Sequence, residues 1–516
     1  MNQTLKLQMN EPGLSSLHRA GLAGLWMTLD ALIRDVEDDK IDWPDWIEYP
    51  PKLDAHGIEI NWEGTPQRLL DWLLPEAFGI DTQGDKSQMI EFAGLRPAKP
   101  SPEAKSVIHQ SVLGTFLQHG KTRKTIKGQY QHTFIVDEIP VLLNYAKLEE
   151  YSHQKAASDF CDKDEWAKSV KLAGWLAPGG VVRHTAFTSD TALEESPQRA
   201  LLLLFAPVGC FYFNLRSTIH AQKARFAIVI PEINSLETYA SIRRNLRSAT
   251  LLDLTACGTG DAAFRLISTA REQLRTLECK QCKVITLGTV PWSTQQKTRT
   301  AAITVDLSSE DKLQIYDLIK HSLPNRVVQS KSKKGEEASG FIVPSIALEL
   351  FADNLALGRK WYTNFTSLMQ NKETYKLVKF EKEGLNKVVK NVNLELPEKV
   401  IVEACHEALR YRYGQISSRA KRERADLKSL FEREYEKLRV GLARCKSSSA
   451  LRKELTDFWS RAGQLKTLQE NWSAVIPMFT EQNWSRARDL ALLALASYKR
   501  PETQTESSDN QGGEQT

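Results

Sequence analysis

Residues 225–306 contain the stretch that decides the fold of the larger part of the chain: Arg225-Phe-Ala-Ile-Val-Ile230, Leu251-Leu-Asp-Leu-Thr255, Lys283-Val-Ile-Thr-Leu-Gly288 and Ala301-Ala-Ile-Thr-Val-Asp306. These short apolar runs predict strands at 225–230, 250–255, 283–288 and 301–306. The segments 235–247 and 260–276 between them have helical periodicity. Such alternation of strands and helices is typical of an α/β layer.

The segments before this stretch add helices and one long apolar run. Residues 14–36 have helical spacing of leucines and begin near Ser15, which predicts an amphipathic helix. The apolar run Ala200 to Phe213 is interrupted by Pro207 and Gly209 and is shorter than the roughly 20 residues that a spanning helix needs. We therefore predict a core strand there and no membrane segment.

The C-terminal part of the sequence predicts helices only. No proline lies between Pro397 and Pro477, and the apolar residues from Leu427 to Leu442 recur at helical spacing. The predicted fold class is α+β, with a mixed α/β N-terminal body and an all-α C-terminal helical bundle. The predicted domains are residues 1–360 for the body, 361–500 for the bundle and 501–516 for a polar, disordered tail.

Composition and charge place the chain among cytoplasmic proteins. The 516 residues are 41% hydrophobic, the first twelve are too polar for a signal peptide, and the seven scattered cysteines do not form a disulfide framework. Charge is polarised along the chain. Residues 1–100 hold nine Lys/Arg and 17 Asp/Glu, while residues 351–450 hold 21 and 13. This distribution favours a protein partner at the acidic end and a polyanion at the basic end.

Two motifs raise the question of catalysis or cofactor binding. Cys257-Gly258-Thr-Gly260 follows a predicted strand and precedes a predicted helix, as in nucleotide or adenosylmethionine sites. The next predicted strand ends without Asp or Glu to bind a ribose, so we favour a tight turn. Cys279 and Cys282 have the spacing of half a zinc knuckle, without a second Cys/His pair. We predict no catalytic residue, no metal and no cofactor.

Basic segments supply the candidate nucleic-acid contacts. Lys and Arg neutralise phosphates, and Gln side chains can bond base edges. The basic segments also have purely structural interpretations: a solvated loop, a core histidine, or ion pairs with nearby acids. The candidate residues are Lys121, Arg123, Lys124, Lys127, Gln129, Gln131, Arg183, His184, Arg243, Arg244, Arg247, Lys331, Lys333, Lys334, Arg419, Lys421, Arg422 and Arg424.

Three short motifs resemble one protein family. They are Leu17-His-Arg19-Ala-Gly-Leu-Ala-Gly-Leu-Trp26, Gly174-Trp-Leu-Ala-Pro-Gly-Gly-Val-Val-Arg183-His184, and Phe205-Ala-Pro-Val-Gly209, which we take as part of a strand. Together, in this order, they resemble the Myxan-type large subunit of the type I CRISPR Cascade effector complex, over the whole chain. Arg19, Arg183 and His184 belong to these motifs, which assign them no individual role.

The resemblance implies a non-catalytic subunit that recognises the motif flanking the DNA target and supports duplex opening and R-loop formation. The implied partners are target double-stranded DNA, the displaced single strand, crRNA, and the backbone, crRNA-end-binding and small subunits of Cascade. A helicase-nuclease or a transposition adaptor is a further partner that the sequence leaves open. The family often ends in a bundle like a Cascade small subunit, and Met369 offers an internal start for making this bundle separately.

Two functions from other classes remain as alternatives. One is an adenosylmethionine-dependent methyltransferase-like enzyme that uses the Gly258 turn. The other is a scaffold whose basic bundle binds only protein. Titration with adenosylmethionine tests the first alternative, and DNA binding at two salt concentrations tests the second. The sequence does not specify the flanking motif, the residues that read it, or whether the complex serves defence or guided transposition.

Overall fold

The structure of the chain, a computed structural model, describes residues 2–82, 88–178, 193–216, 224–276, 278–292, 295–330 and 339–500. The predicted tail, 501–516, lies outside the described residues. The chain divides into two compact units. The first unit comprises residues 1–313, 325–344 and 356–358, and the second comprises residues 314–324, 345–355 and 359–516.

The first unit combines helices with several small sheets. Its helices are α1 (Ser16–Glu37), α2 (Pro66–Ala77), α3 (Pro102–Gly114), α4 (Ala157–Phe160), α5 (Pro197–Gly209), α6 (Leu236–Arg243), α7 (Thr259–Thr269), α8 (Arg271–Thr276) and the start of α9 (Glu310–Ser322). Its strands are β1 (Asn2–Gln8), β2 (Lys52–Leu53), β3 (Gly57–Glu63), β4 (Phe78–Asp81), β5 (Met89–Phe92), β6 (Arg123–Thr125), β7 (Tyr130–Val136), β8 (Ile139–Tyr145), β9 (Leu148–Tyr151), β10 (Cys161–Asp162), β11 (Glu165–Trp166), β12 (Val170–Lys171), β13 (Glu194–Glu195), β14 (Phe211–Leu215), β15 (Ala224–Pro231), β16 (Thr255–Ala256), β17 (Gln281–Trp292), β18 (Gln295–Asp306), β19 (Arg326–Gln329) and β20 (Gly340–Val343).

The largest sheet has the strand order β16-β14-β15-β17-β18. Only β14 and β16 pair in parallel, while the other neighbours are antiparallel. A second sheet has the order β19-β20-β8-β7, and a small apolar core that includes Val107, Phe134 and Val141 packs against it. The predicted mixed α/β body is therefore confirmed, with a mixed sheet at its centre.

Helices α1 and α5 pack with their backbones in close approach. A Cβ placed on Gly21 would lie 1.6 Å from the carbonyl oxygen of Leu202, and one on Gly24 would lie 2.2 Å from that of Phe205. From the other helix, a Cβ on Gly209 would lie 1.9 Å from the carbonyl oxygen of Ala20. Only glycine permits this separation, so the first and third family motifs form one helix–helix contact.

Three sequence predictions in this unit are wrong in detail. The run 200–213 is not a strand: residues 200–209 belong to α5, and β14 begins only at Phe211. All residues of α5 from Ala200 to Gly209 are buried, so no polar face shows the helical period. Residues 250–254 form a turn instead of a strand, because Thr250 and Asp253 bond each other's backbone and side chains. The predicted helix 260–276 is interrupted at Ala270.

The second unit is helical, as predicted for the C-terminal part. Besides the end of α9, its helices are α10 (Ile346–Ala356), α11 (Phe365–Gln370), α12 (Lys372–Phe380), α13 (Lys382–Asn391), α14 (Leu396–Glu423), α15 (Leu427–Arg444), α16 (Ser448–Ala462), α17 (Lys466–Val475) and α18 (Trp484–Ser497). Leu355 is the last residue of α10 within this unit.

Carboxylates from distant helices cap the starts of three helices in the second unit. Glu381 accepts hydrogen bonds from the backbone N–H groups of Ile346 and Ala347 at 2.8 and 3.1 Å. Glu407 accepts two such bonds at the start of α17, and Asp489 accepts two at the start of α11. Since the first N–H groups of a helix have no partner within it, these caps lock helix positions as well as satisfy the backbone.

Candidate nucleic-acid interface

Residues 121–127, which we call the basic loop, are the first candidate surface, and residues 123–125 within it form β6. Lys121, Lys127 and Gln129 are exposed, and Lys121 follows the C-terminal end of α3 by a few residues. Gln131 is also exposed on β7 and donates to the side-chain oxygen of Asn144 at 2.8 Å. These four side chains lie on or next to one short segment of the first unit, so the segment presents donors to solvent.

Two other basic residues of this loop already have partners. The Arg123 guanidinium donates to the backbone oxygens of Leu113, at 2.7 Å, and Leu117. Its partial burial lowers the pKa of this guanidinium. Lys124 pairs with Glu149 at 2.5 Å, and this hydrogen bond raises the pKa of the lysine. Within the loop, Arg123 therefore closes the end of α3, and the side chains at 121 and 127 are better placed for a ligand.

The three arginines at 243, 244 and 247 occupy different environments. Arg243 is only 1% exposed, and its Nε donates to the backbone oxygen of Val208 at 3.1 Å. Burial lowers the pKa of Arg243. Arg244 donates to the backbone oxygen of Gly94 and pairs with Asp30, so it ties α6 to α1. Arg247 alone of the three is exposed, and it is the only one that can reach a phosphate in this conformation.

Five further candidate residues cannot be placed. Arg183, His184, Lys331, Lys333 and Lys334 lie outside the described residues, and their assignment to nucleic-acid binding stays a prediction.

The second candidate surface is the turn of the hairpin formed by α14 and α15. Arg419, Lys421, Arg422 and Arg424, which we call the tip cluster, are all exposed. Arg419 pairs with Glu423 at 2.9 Å, one helical turn away. Arg424 ends α14 in the left-handed conformation, with φ of 52°. The tip cluster therefore presents four cations within six residues.

The hairpin is held below its tip by aromatic and ionic contacts. The Tyr413 ring packs on Phe431 with centroids 4.7 Å apart, and Arg412 pairs with Glu434 at 3.1 Å. Arg461 also pairs with Glu434, at 3.4 Å. Buried residues of α14 are concentrated between 398 and 409, with Ala420 as a later exception. The last turns of α14 are therefore fixed by few core contacts and carry their charges into solvent.

A groove near the base of the same helix was missed by the sequence reasoning. It encloses about 520 Å³. Its lining contains acidic side chains together with the cations Lys390, Arg410 and Lys466. His406 at its wall bonds the backbone oxygen of Ala494 at 3.0 Å, and burial lowers its pKa to about 4. These cations are spread over 77 residues of sequence, so no local pattern could have joined them.

The Gly258 turn is occupied by its own protein groups. The backbone N–H of Cys257 donates to the Asp261 carboxylate at 2.9 Å, and Arg265 pairs with the same carboxylate at 3.1 Å. Asp261 is fully buried, and Gly258 directly precedes α7. The anionic group that a ligand would bring to this helix start, a nucleotide phosphate or the carboxylate of adenosylmethionine, would thus meet the carboxylate of Asp261. This geometry favours the turn over the adenosylmethionine site.

Cys279 and Cys282 are the residues on which a metal prediction would rest, and the apolar helices are those on which a membrane prediction would rest. Cys282 is buried on β17, while the Cys279 thiol bonds the Gln281 backbone oxygen at 3.3 Å. Among the described residues, no three His, Cys, Asp or Glu side chains are grouped to hold a metal ion. In the same described part of the chain, no helix has the length and apolar character needed to cross a bilayer.

An aromatic patch with acidic neighbours lies on the first unit. The Trp43 ring packs on Trp72 with centroids 5.1 Å apart and on Tyr49 at 5.3 Å. The Arg68 guanidinium lies 4.2 Å from the centre of the Trp46 ring. Exposed carboxylates at 42, 45 and 71 belong to the same segments of chain. This patch is the structural counterpart of the acidic N-terminal part of the sequence.

Comparison with known proteins assigns the family. Residues 6–204 match the family described as DevT N-terminal domain, and residues 390–516 match the DevT C-terminal domain. The chain is 30% identical to the CRISPR-associated protein Cas8a1/Csx13 of Myxococcus xanthus over 520 residues, which cover 96% of this chain and 88% of that protein. The chain is thus a CRISPR-associated protein. It belongs to the Cas8a1/Csx13 family, and the predicted relationship to Myxan-type Cascade large subunits is confirmed.

Proposed function

We propose that this chain is a non-catalytic large subunit of a crRNA-guided Cascade complex, which recognises the motif flanking the DNA target and supports duplex opening and R-loop formation. The observation that supports it best is the tip cluster, four exposed cations at the end of a two-helix hairpin. The family relationship supports the assembly. The guide pairs with the target, so the protein needs only to hold backbone and read the short flanking motif.

The tip cluster consists of three arginines and one lysine, which suits it to binding phosphates. Arg side chains grip phosphate through two parallel N–H bonds, and Lys acts as a point charge. In this proposal the cluster holds target or displaced-strand backbone, while the loop that carries Lys121 and Lys127 contacts the duplex beside the flanking motif. Gln129, beside that loop, and Gln131, on β7, are exposed and are the candidates for base contacts.

DNA binding by the assembled complex at several salt concentrations tests this assignment. Replacement of the tip cluster by Gln, at Arg419, Lys421, Arg422 and Arg424, should weaken binding and reduce the salt slope by up to about 3.6, at about 0.9 for each phosphate that is no longer neutralised. A matched control removes four exposed lysines elsewhere in the second unit: Lys372, Lys376, Lys387 and Lys399. An equal effect of both variants would show that only net charge matters and would contradict a specific role of the tip.

The acidic aromatic patch is the candidate surface for a neighbouring Cascade subunit. Tryptophan faces accept cations, as the stacked Arg68 already shows, and carboxylates around them favour a basic partner segment. Trp43→Ala should weaken incorporation of the chain into the complex without changing DNA binding by the isolated chain. Normal assembly of this variant, measured by co-purification with tagged backbone subunits, would remove the patch from the proposal.

A further inference from the structure

A small polar cavity lies between α1 and the central sheet of the first unit. It encloses about 160 Å³ and is lined by Ser16 and Arg19 from α1, Gln281 and Lys283 from β17, and Glu232 beside the end of β15. At roughly 30 Å³ for each water molecule, it has room for one small anion with a few waters. None of these side chains belongs to the tip cluster or to the basic loop.

The charges of this cavity favour an anion. Neither Arg19 nor Lys283 forms an ion pair with a carboxylate among the described residues. The carboxylate of Glu232 accepts a hydrogen bond from the backbone N–H of Lys280 at 3.3 Å. The lining thus contains two cations and one carboxylate, and this carboxylate already accepts a hydrogen bond from the protein. The net charge of the lining is therefore positive.

The Arg19 side chain is the strongest single indication of a ligand. Its Nε is buried and has no hydrogen-bond partner among the described residues. A buried guanidinium N–H without an acceptor costs free energy, so this arginine has donor capacity that the protein leaves unused. Arg19 lies in the first turn of the 22-residue helix α1, whose dipole adds positive potential at this end.

We propose that this cavity binds a phosphate group, with Arg19 as the bidentate donor, Lys283 as the counter-charge, and the Ser16 hydroxyl and Gln281 amide as further donors. Arg, Lys and hydroxyl groups at a helix start are the usual ligands of phosphate in proteins. This site deepens the proposed function, which it uses only to identify the polymer that carries the phosphate. The phosphate can be the terminal group of an RNA strand or an internal phosphodiester of RNA or DNA.

Single substitutions that keep side-chain size test the site. Arg19→Gln and Lys283→Gln are compared with Lys6→Gln, a control that removes an exposed charge on β1 of the same unit. The probes are a fluorescent single-stranded RNA octamer with a 5′ phosphate, the same RNA with a 5′ hydroxyl, the matching DNA octamer, and inorganic phosphate as competitor. Circular dichroism melting of each variant confirms that the first unit is folded.

We expect each cavity variant to bind the preferred octamer about tenfold more weakly or worse, since each removes a charge-assisted bond, while the control stays within twofold. Preference for the 5′-phosphorylated RNA assigns a terminal phosphate, and equal binding of both RNAs assigns an internal one. Wild-type affinity of both cavity variants for every probe would overturn the site. The salt slope of duplex binding, which tests the tip cluster, is measured in parallel with the octamer assay, which tests the cavity. A negative result in one assay therefore does not decide the other proposal.

Discussion

Within the basic loop of the first unit, the structure separates charges that can bind DNA from a charge that holds the fold. Lys121 and Lys127 are exposed, whereas Arg123 donates to two backbone oxygens at the end of α3. If both lysines contact phosphates, Lys121→Ala with Lys127→Ala should reduce the salt slope of DNA binding by about 1.8. Between 50 and 200 mM salt, such a change in slope reduces the salt-induced weakening of affinity by roughly tenfold.

Arg123→Ala should have the opposite profile. It leaves two backbone oxygens near Leu113 and Leu117 without their charged donor, which costs about 2–4 kcal/mol in the free energy of unfolding. The salt slope of DNA binding should stay within experimental error of the wild type, because this guanidinium bonds backbone oxygens and is not expected to contact DNA phosphates.

Fluorescence anisotropy of a labelled duplex at five salt concentrations gives the slope, and urea denaturation followed by circular dichroism gives the free energy. Lys155→Ala is the matched control, because it is an exposed lysine paired with Glu150 in the same unit. A normal slope for the double lysine variant, or a flattened slope for Arg123→Ala, would refute this division of roles.

Three other perturbations test the fold. Gly21→Ala should destabilise the first unit by roughly 3 kcal/mol or more in urea denaturation, since its Cβ meets the Leu202 oxygen, whereas Gly174→Ala, with open space around it, should be silent. Burial lowers the pKa of His109 to about 4, so the unfolded state binds the proton first as pH falls. The contribution of His109 to stability should therefore fall between pH 6.5 and about pH 4, by at most about 1.4 kcal/mol per pH unit, and His109→Gln should remove this part of the pH dependence in pH-resolved denaturation. A fragment of residues 345–500 should show more cooperative thermal unfolding than one of residues 369–500, and equal cooperativity would contradict the importance of the earlier segment.

The elements with visible periodicity or caps were predictable from the sequence. The helix at 14–36 begins at a serine whose hydroxyl caps it, and α2 begins with Thr65 as cap and Pro66 in its first turn, as local chemistry requires. The strands predicted at 225–230, 283–288 and 301–306 lie within β15, β17 and β18. In each of these cases the signal is local and is not overridden by tertiary packing.

Elements whose environment is uniform were not predictable. Helix α5 is buried on every side from Ala200 to Gly209, with α1 packed closely along it, so its sequence resembles a buried strand. The same limit applies to the candidate site. Arg123, Arg243 and Arg244 have the same sequence signature as surface cations, and only the carbonyl oxygens around them reveal that they are structural. Charge counts along a chain do not distinguish these two uses.

The start of the helical bundle illustrates why a boundary can be invisible in sequence. Met369 offers an internal start, yet its side chain is fully buried in α11, and its backbone oxygen accepts a bond from Arg439. A product that began there would lack Thr366, whose N–H and hydroxyl both bond the Asp489 carboxylate. Asp489 is 3% exposed, and burial raises its pKa, so without these donors it would be a buried charge that lacks most of its compensation. The contacts that stabilise the bundle therefore extend upstream of Met369. A separately made bundle must either begin before Thr366 or obtain these hydrogen-bond donors from another chain.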